Sequence, residues 1–320
     1  MRKTTQYNFL KDTAMGIAIP ILIFLGILYI PLSGVILIVL FPMPILFYRL
    51  KLGRKMGAFI MILVLSIIIA IIGGISLDIL FYSCLLLTGF LLGEYIEKPL
   101  SIEKTGIYTC LSTISVYTGF FFFYAFISDQ EIISIISKYV AANLEMSLKL
   151  YPLIGVAQKD IEIISKSIEA IQYVLVRIMP SLVAIILILV TWINILFIKT
   201  IMVKKGIFIQ RFEKLNKWKA PEQLVWIVII LCLIVFIPVK NLKIIGLNFI
   251  IVLIPVYFFQ GIAIVSFFFE KKRFPVILRF FIYTLIAIQQ IFLFFIVGLG
   301  FFDTWFDFRK LKILNDTKQN

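Results

Sequence analysis

The chain has 320 residues, of which 62% are hydrophobic and 15% charged, with a mean hydropathy of +1.09. No water-soluble domain of this length leaves so little polar surface, so the bilayer must serve as its solvent. The net charge of +14 does not point to nucleic acid. The basic residues sit in short loops beside apolar runs with no RNA- or DNA-binding module around them, and anionic lipid headgroups are the simpler partner.

A spanning helix needs about 20 apolar residues to cross about 30 Å of hydrocarbon, whereas barrel strands alternate over about ten. The apolar runs here are continuous, which predicts an all-α, polytopic helical membrane protein. About nine transmembrane helices are expected, near 13–30, 32–48, 56–72, 75–92, 106–127, 178–198, 223–239, 244–269 and 276–301. The first run follows a basic start, as in a signal peptide. Ile30-Pro31-Leu32-Ser33 is not a cleavage site, however, and further spans follow, so it reads as a retained helix. Pro31 and the Gly73-Gly74 pair mark tight turns within hairpins. The expected organisation is a six-helix core over 1–200, a basic cytoplasmic loop over 201–222, a three-helix unit over 223–302 and a C-terminal tail over 303–320.

Cytoplasmic loops retain Lys and Arg, and most of the 31 such residues fall in 2–11, 49–55, 98–104, 199–219 and 271–279. This pattern predicts a multi-pass protein of the plasma membrane with a cytoplasmic N-terminus. An odd number of spans then puts Arg309, Lys310 and Lys312 outside. If those residues are cytoplasmic, one of the last three helices is re-entrant or interfacial.

Residues 128–177 are the one sizeable extramembrane piece. Ser128-Asp129-Gln130-Glu131 has capping-box spacing and predicts a helix start. Ile132, Ile133, Ile136, Val140, Leu144 and Leu148 then recur at helical spacing. Tyr151-Pro152 to Gly155 breaks that helix, and a second follows over 159–177 with Ile161, Ile164, Ile168 and Ile171 on one stripe. The pair either lies on the membrane surface and packs across the helix ends, or forms a lid over an outward-facing cavity.

The chain has no His, which removes imidazole bases, catalytic triads and HExxH zinc chemistry. Cys84, Cys110 and Cys232 lie in apolar runs without CxxC spacing and read as buried thiols. There is no Walker A sequence, so any coupling to ATP needs partner subunits. No enzyme, metal site or cofactor is read. Asp78, after the Gly73-Gly74 turn, is a candidate cavity-lining carboxylate or an interfacial cap. Glu94, after Gly93 at a helix end, reads as a solvated loop residue. Asn194, Asn248, Gln260, Gln289 and Gln290 fall inside helices, where they either bond a neighbouring helix or contact a substrate. Gln260-Gly261 combines an amide with a site of close backbone approach, and Tyr257 lies about one turn away on the same side. Tyr257, Gln260 and Asp78 are therefore the candidate contacts for a small-molecule ligand. Ala14 and Ala18 form a small-xxx-small pair on helix 1, which lets a partner helix approach closely.

In the C-terminal string, Asp303, Trp305, Asp307 and Arg309 share a face if extended, whereas in a helix Asp303, Asp307 and Lys310 cluster. Trp305 fits an interfacial belt. An exposed pair of Asp303 or Asp307 with Arg309 or Arg279 would contribute about 0–1 kcal/mol.

The string from Gly298 to Lys310, the Trp218-Lys219-Ala220-Pro221-Glu222 segment before a span that holds Trp226, and Tyr257-Phe258-Phe259-Gln260-Gly261 resemble the YybS-like family of uncharacterised bacterial multi-pass membrane proteins. A more distant resemblance is to the S-components of energy-coupling-factor transporters, which have six helices, a cytoplasmic N-terminus and an alanine-x-x-x-alanine motif in helix 1. Ala14 and Ala18 match that motif, and the first six runs match the helix count. The resemblance implies a substrate-binding or transport component driven by coupling and ATPase subunits, with Ala14 and Ala18 as the docking residues. The three further helices and the long outer loop depart from that pattern. A non-transporting scaffold or regulator, recruiting partners through loop 199–222, is the alternative.

Overall fold

The computed structural model describes residues 6–74, 76–204 and 215–310. Arg2, Lys3, Lys205, Arg211, Lys214 and Lys312, counted above as loop charges, lie outside the described residues. Thirteen α-helices and two 3-10 turns account for the described regular structure, and no strand occurs among these residues. The chain is an all-α, polytopic helical membrane protein. It divides into two compact units, one of residues 1–179 and 186–210, the other of 180–185 and 211–320.

In the first unit, α1 (Gln6–Tyr29), α4 (Arg54–Ile72), α5 (Leu77–Ile96), α6 (Ile102–Ile127) and α9 (Ile168–Lys204) are each long and apolar enough to span a bilayer. The expected span at 32–48 is instead two ten-residue helices, α2 (Pro31–Leu40) and α3 (Met43–Leu52). Each rises about 15 Å, half of what hydrocarbon requires. Pro42 and Pro44 mark the break, since neither can donate a backbone hydrogen bond to the turn before it. Gly89 of α5 fits against this break, because a Cβ there would overlap the Pro42 carbonyl oxygen. Around the junction, Phe24, Phe41, Ile45, Ile60, Val64, Leu85 and Val190 form a buried core. The Tyr82 ring meets Phe24 and Phe41 edge-on. Asn194 is buried and bonds across helices, donating to the Val39 carbonyl at 2.8 Å.

Local signals end several helices as expected. Gly73 takes φ 85° and closes α4 through its N–H to the Ile69 carbonyl. Ser76 and Ser101 accept the Ile79 and Lys104 amides at the starts of α5 and α6. The Ser128 capping box does not form. Ser128 ends α6, bonding back to the Tyr124 carbonyl at 2.8 Å, and α7 (Ile132–Leu150) starts after Glu131. A 3-10 turn (Tyr151–Ile154) follows α7, then α8 (Gln158–Lys166). The helix expected over 159–177 is split at Ser167, and 168–177 is the outer extension of the 37-residue α9.

The second unit holds α10 (Gln223–Phe236), α11 (Lys240–Lys271), α12 (Val276–Ile288) and α13 (Gln290–Phe306). Only α11 qualifies alone as a span. At 14 residues α10 is short, stopped before Pro238, and the expected span at 276–301 bends by 103° between α12 and α13. Among the described residues six helices can therefore span, or seven if the bent pair counts as one, against the nine expected from apolar runs alone. Helices α11 and α13 run parallel and nearly touch. A Cβ on Gly261 would overlap the Ile296 carbonyl oxygen, and one on Gly300 the Tyr257 carbonyl oxygen. These two glycines set the crossing, as small residues do in bilayers.

Two contacts place the ends of this unit. Asn216 bonds Glu270 at the end of α11, and Arg309 Nη1 donates to the Asn216 and Trp218 carbonyls at 3.0 and 2.8 Å. Arg309 therefore lies on the same side as the segment preceding α10, and the α12–α13 pair accounts for the even return. In a cysteine-free background, Cys substituted at Lys217 and at Lys310 should react with an impermeant maleimide from one side of sealed vesicles. Cys at Val239, in the α10–α11 turn, should react from the other. Labelling of the 217 and 310 positions from opposite sides would contradict this topology.

Candidate functional site

A buried polar cluster lies where α11, α13 and residues 216–220 meet. The α13 helix stops at Phe306 because Asp307 turns left-handed, with φ 40° and its N–H on the Asp303 carbonyl. The reversal folds Phe308 and Arg309 back against the helix. Asp303 Oδ1 accepts the Phe308 N–H at 3.0 Å, and Asp303 Oδ2 accepts Arg309 Nη2 at 2.8 Å and Gln260 Nε2 at 3.1 Å. Gln260 Oε1 in turn accepts the Ala220 N–H at 3.1 Å. The Asp303 and Arg309 side chains are fully buried.

The expectation of an exposed, weakly contributing pair is therefore corrected. The left-handed turn at Asp307 hides Arg309, and a buried pair is governed by desolvation, not solvent screening. Chemically the site is a clamp: one carboxylate and one amide hold three chain segments together, and both ends of the Gln260 amide are bonded within the protein. Trp305 is exposed on α13, consistent with an interfacial position.

Tyr257 sits one turn before Gln260, packed edge-on against Phe301. It is buried, and its hydroxyl has no hydrogen-bond partner among the described residues. Its side chain borders an apolar hollow of about 340 Å³ that is also lined by Val228, Leu253 and Val297. Tyr257, Gln260, Asp303 and Arg309 are thus brought together, whereas Asp78 belongs to the other unit.

Asp78 lies in the first turn of α5 and accepts the Tyr139 hydroxyl at 2.7 Å. Burial and the Asp78 carboxylate push the Tyr139 phenol up to about 12. The bond fastens α7 to the start of α5. A second tie joins α7 to the outer part of α9, through Gln172 Nε2 to Ser137 Oγ at 2.9 Å.

At the opposite, Lys/Arg-rich end of the first unit lies a charge cluster that the sequence reading missed. Arg49 is almost wholly buried and reaches Glu94 Oε1 at 2.6 Å and Glu97 Oε1 at 2.7 Å, while Arg54 approaches Glu94 at 3.5 Å. Glu94 is consequently an ion-pair partner, not a solvated loop residue. Gly57 and Gly93 make room for the Arg49 stem, since a Cβ on either would overlap its carbons. The available signal was the Glu94/Glu97 pair three apart beside Gly93, on the same side as Arg49. Nearby, Lys51 Nζ pairs with Asp12 at 2.6 Å and ties α3 to α1. Ala14 and Ala18 are exposed on α1, in one stripe with Leu10 and Leu22, while Gly16 and Pro20 face inward.

A family model described as "Predicted membrane protein (DUF2232)" matches residues 18–304. The chain belongs to this family. It is also 22% identical over 281 residues to the uncharacterized protein YybS of Bacillus subtilis (strain 168), covering 84% of this chain and 87% of that protein. No solved structure matches. The family match runs from Ala18 to Thr304 and so includes Gln260 and Asp303 of the clamp, and Tyr257 beside it.

Asp303→Leu or Arg309→Met alone should destabilise the second unit by about 3–5 kcal/mol, because each leaves a buried charge unpaired. The double variant should cost clearly less than the sum of the two. Thermal unfolding in detergent reads both effects, and additive losses would mean the pair is not coupled. For Tyr139, a phenol raised above its unfolded value of 10 contributes stability that is complete below pH 10 and lost as pH rises through about 12. Hydrogen exchange of the α7 amides should accelerate across that window, and Tyr139→Phe should abolish the pH-dependent step.

Proposed function

We propose that this protein is a small-molecule binding or transport component of the plasma membrane, not an enzyme, with a cytoplasmic N-terminus and partner subunits that supply energy. The observation that carries the reading is the exposed Leu10-Ala14-Ala18-Leu22 stripe of α1. Its two alanines present a shallow strip on which a second helix can pack closely. The opposite face of α1 is already occupied, since a Cβ on Gly16 would lie 2.9 Å from Ile60 and 3.0 Å from Tyr48. The stripe begins beside the Lys51–Asp12 pair, at the end of the unit richest in Lys and Arg. The positive-inside rule assigns that end to the cytoplasm, where ATPase subunits would lie. The resemblance of Ala14 and Ala18 to the S-component docking motif supports the same reading. Tyr257, at the wall of the apolar hollow, is the residue of the second unit best placed to meet a ligand.

A non-transporting scaffold is the second reading, favoured by an open groove on α13. Its volume is about 540 Å³, and Ile291, Phe294, Gly298 and Phe302 line it with almost wholly apolar surface. Such a groove suits a partner helix.

Copurification from native membranes in mild detergent separates the readings. Recovery of a bound small molecule together with an ATPase and a membrane coupling subunit is the expected result. Ala14→Leu with Ala18→Leu should abolish recovery of those subunits without lowering thermal stability, since both positions are exposed. Unchanged recovery would reject docking on α1. Partners recovered without ligand or ATPase would favour the scaffold.

A further inference from the structure

The outer segment between α6 and α9 contains an element without a core. Ile135 and Val140 are the last buried residues of α7, and from Ala141 to Lys166 no residue is buried. Apolar side chains are nevertheless presented there: Met146 is 61% exposed, Leu153 79% and Ile154 73%. They sit around an elbow formed by the 3-10 turn, which Gly155 closes at φ 82° before α8 runs back towards α9. The nine-residue α8 is strongly amphipathic and far shorter than the roughly 12–15 residues an isolated helix needs to persist in water. Its apolar stripe finds no core among the described residues.

We propose that this elbow, centred on Leu153 and Ile154, inserts into the lipid interface on the side opposite the Lys/Arg-rich loops. The base of the arm is fixed where α6 leaves the membrane, by the Tyr139–Asp78 and Gln172–Ser137 bonds. Exposed apolar side chains also gather at the end of the apolar helix α6: Phe122, Phe123, Phe126 and Ile127. Tyr151 at the bend is a residue type that favours the headgroup level. Lys149 and Lys159 flank the turn, with stems long enough to lie on apolar surface while their ammonium groups reach water. Helices of this kind sit about 5–10 Å into the headgroup boundary. This inference is independent of the partner subunits proposed above.

The test uses the full chain reconstituted in vesicles of phosphatidylcholine and phosphatidylglycerol, with a nitroxide on Cys substituted for Leu153, for Ile154 or for the charged-face residue Glu145. Labels at 153 and 154 should be reached by oxygen far more readily than by an aqueous nickel chelate, with the reverse at 145. This difference should persist when the protein is diluted with excess lipid. Equal nickel access at all three positions would overturn the proposal. So would shielding that disappears on dilution, because the elbow would then be packing against a second copy. Thermal stability of each labelled protein in detergent, unchanged from the unlabelled chain, shows that the label reports on a folded arm.

Discussion

Hydrocarbon offers no hydrogen bonds, and the rest of this structure follows from that constraint. Each backbone amide and carbonyl at membrane depth must be satisfied within the protein, so the apolar runs become helices. A polar side chain that enters is least costly when it brings a partner with it. Asn194 meets this demand by donating to the Val39 and Val190 carbonyls. Thr88 and Thr109 meet it more locally, bonding the carbonyls four residues before them.

The two buried ion clusters obey the same rule at higher cost. Arg49 and Arg309 are each buried against a carboxylate, and each is bonded or paired to more than one acceptor. Both clusters fasten chain segments that helical hydrogen bonds alone leave unconnected. Arg49 joins the end of α3 to the end of α5, and Asp303 with Gln260 joins α13, α11 and the approach to α10. Dispersion between apolar helices is nearly matched by dispersion with lipid, so the selectivity of such joints lies in polar pairs and in close glycine contacts. Gly261 and Gly300 supply the second kind at the same crossing where Gln260 and Asp303 supply the first.

The helical class and most long spans were legible because apolar run length is a local property. The breaks were less so. Pro31 and Gly73 announce turns in the residues themselves, and both turns are present. Pro42 and Pro44 carry an equally local signal, yet a hydropathy average passes over them. The 103° bend at Gln289 has no proline or glycine to mark it. The clamp was half legible. Gln260-Gly261 and the 303–309 string stand out as polar residues in apolar surroundings, but their union depends on one left-handed residue, Asp307. No periodicity predicts that conformation, so the pairing of Arg309 with Asp303 is foreseeable from the residues but its burial is not. Ser128 failed as a capping box for a related reason. Its hydroxyl was already committed to the carbonyls of the helix before it.

The two units divide the same physics differently. In the first, the buried charges gather at the Lys/Arg-rich end while the opposite end is closed by neutral bonds and one carboxylate, Asp78. That polarity concentrates paired charge at one end and exposed apolar side chains, Leu153 and Ile154 among them, at the other. In the second unit the clamp lies well inside α11, eleven residues before its end at Lys271. A joint at that depth is shielded from salt, so its contribution is insensitive to ionic strength, unlike that of the exposed Lys219–Glu222 pair. Burial at the clamp and exposure at the elbow therefore differ in one respect: the number of contacts a segment completes within the chain.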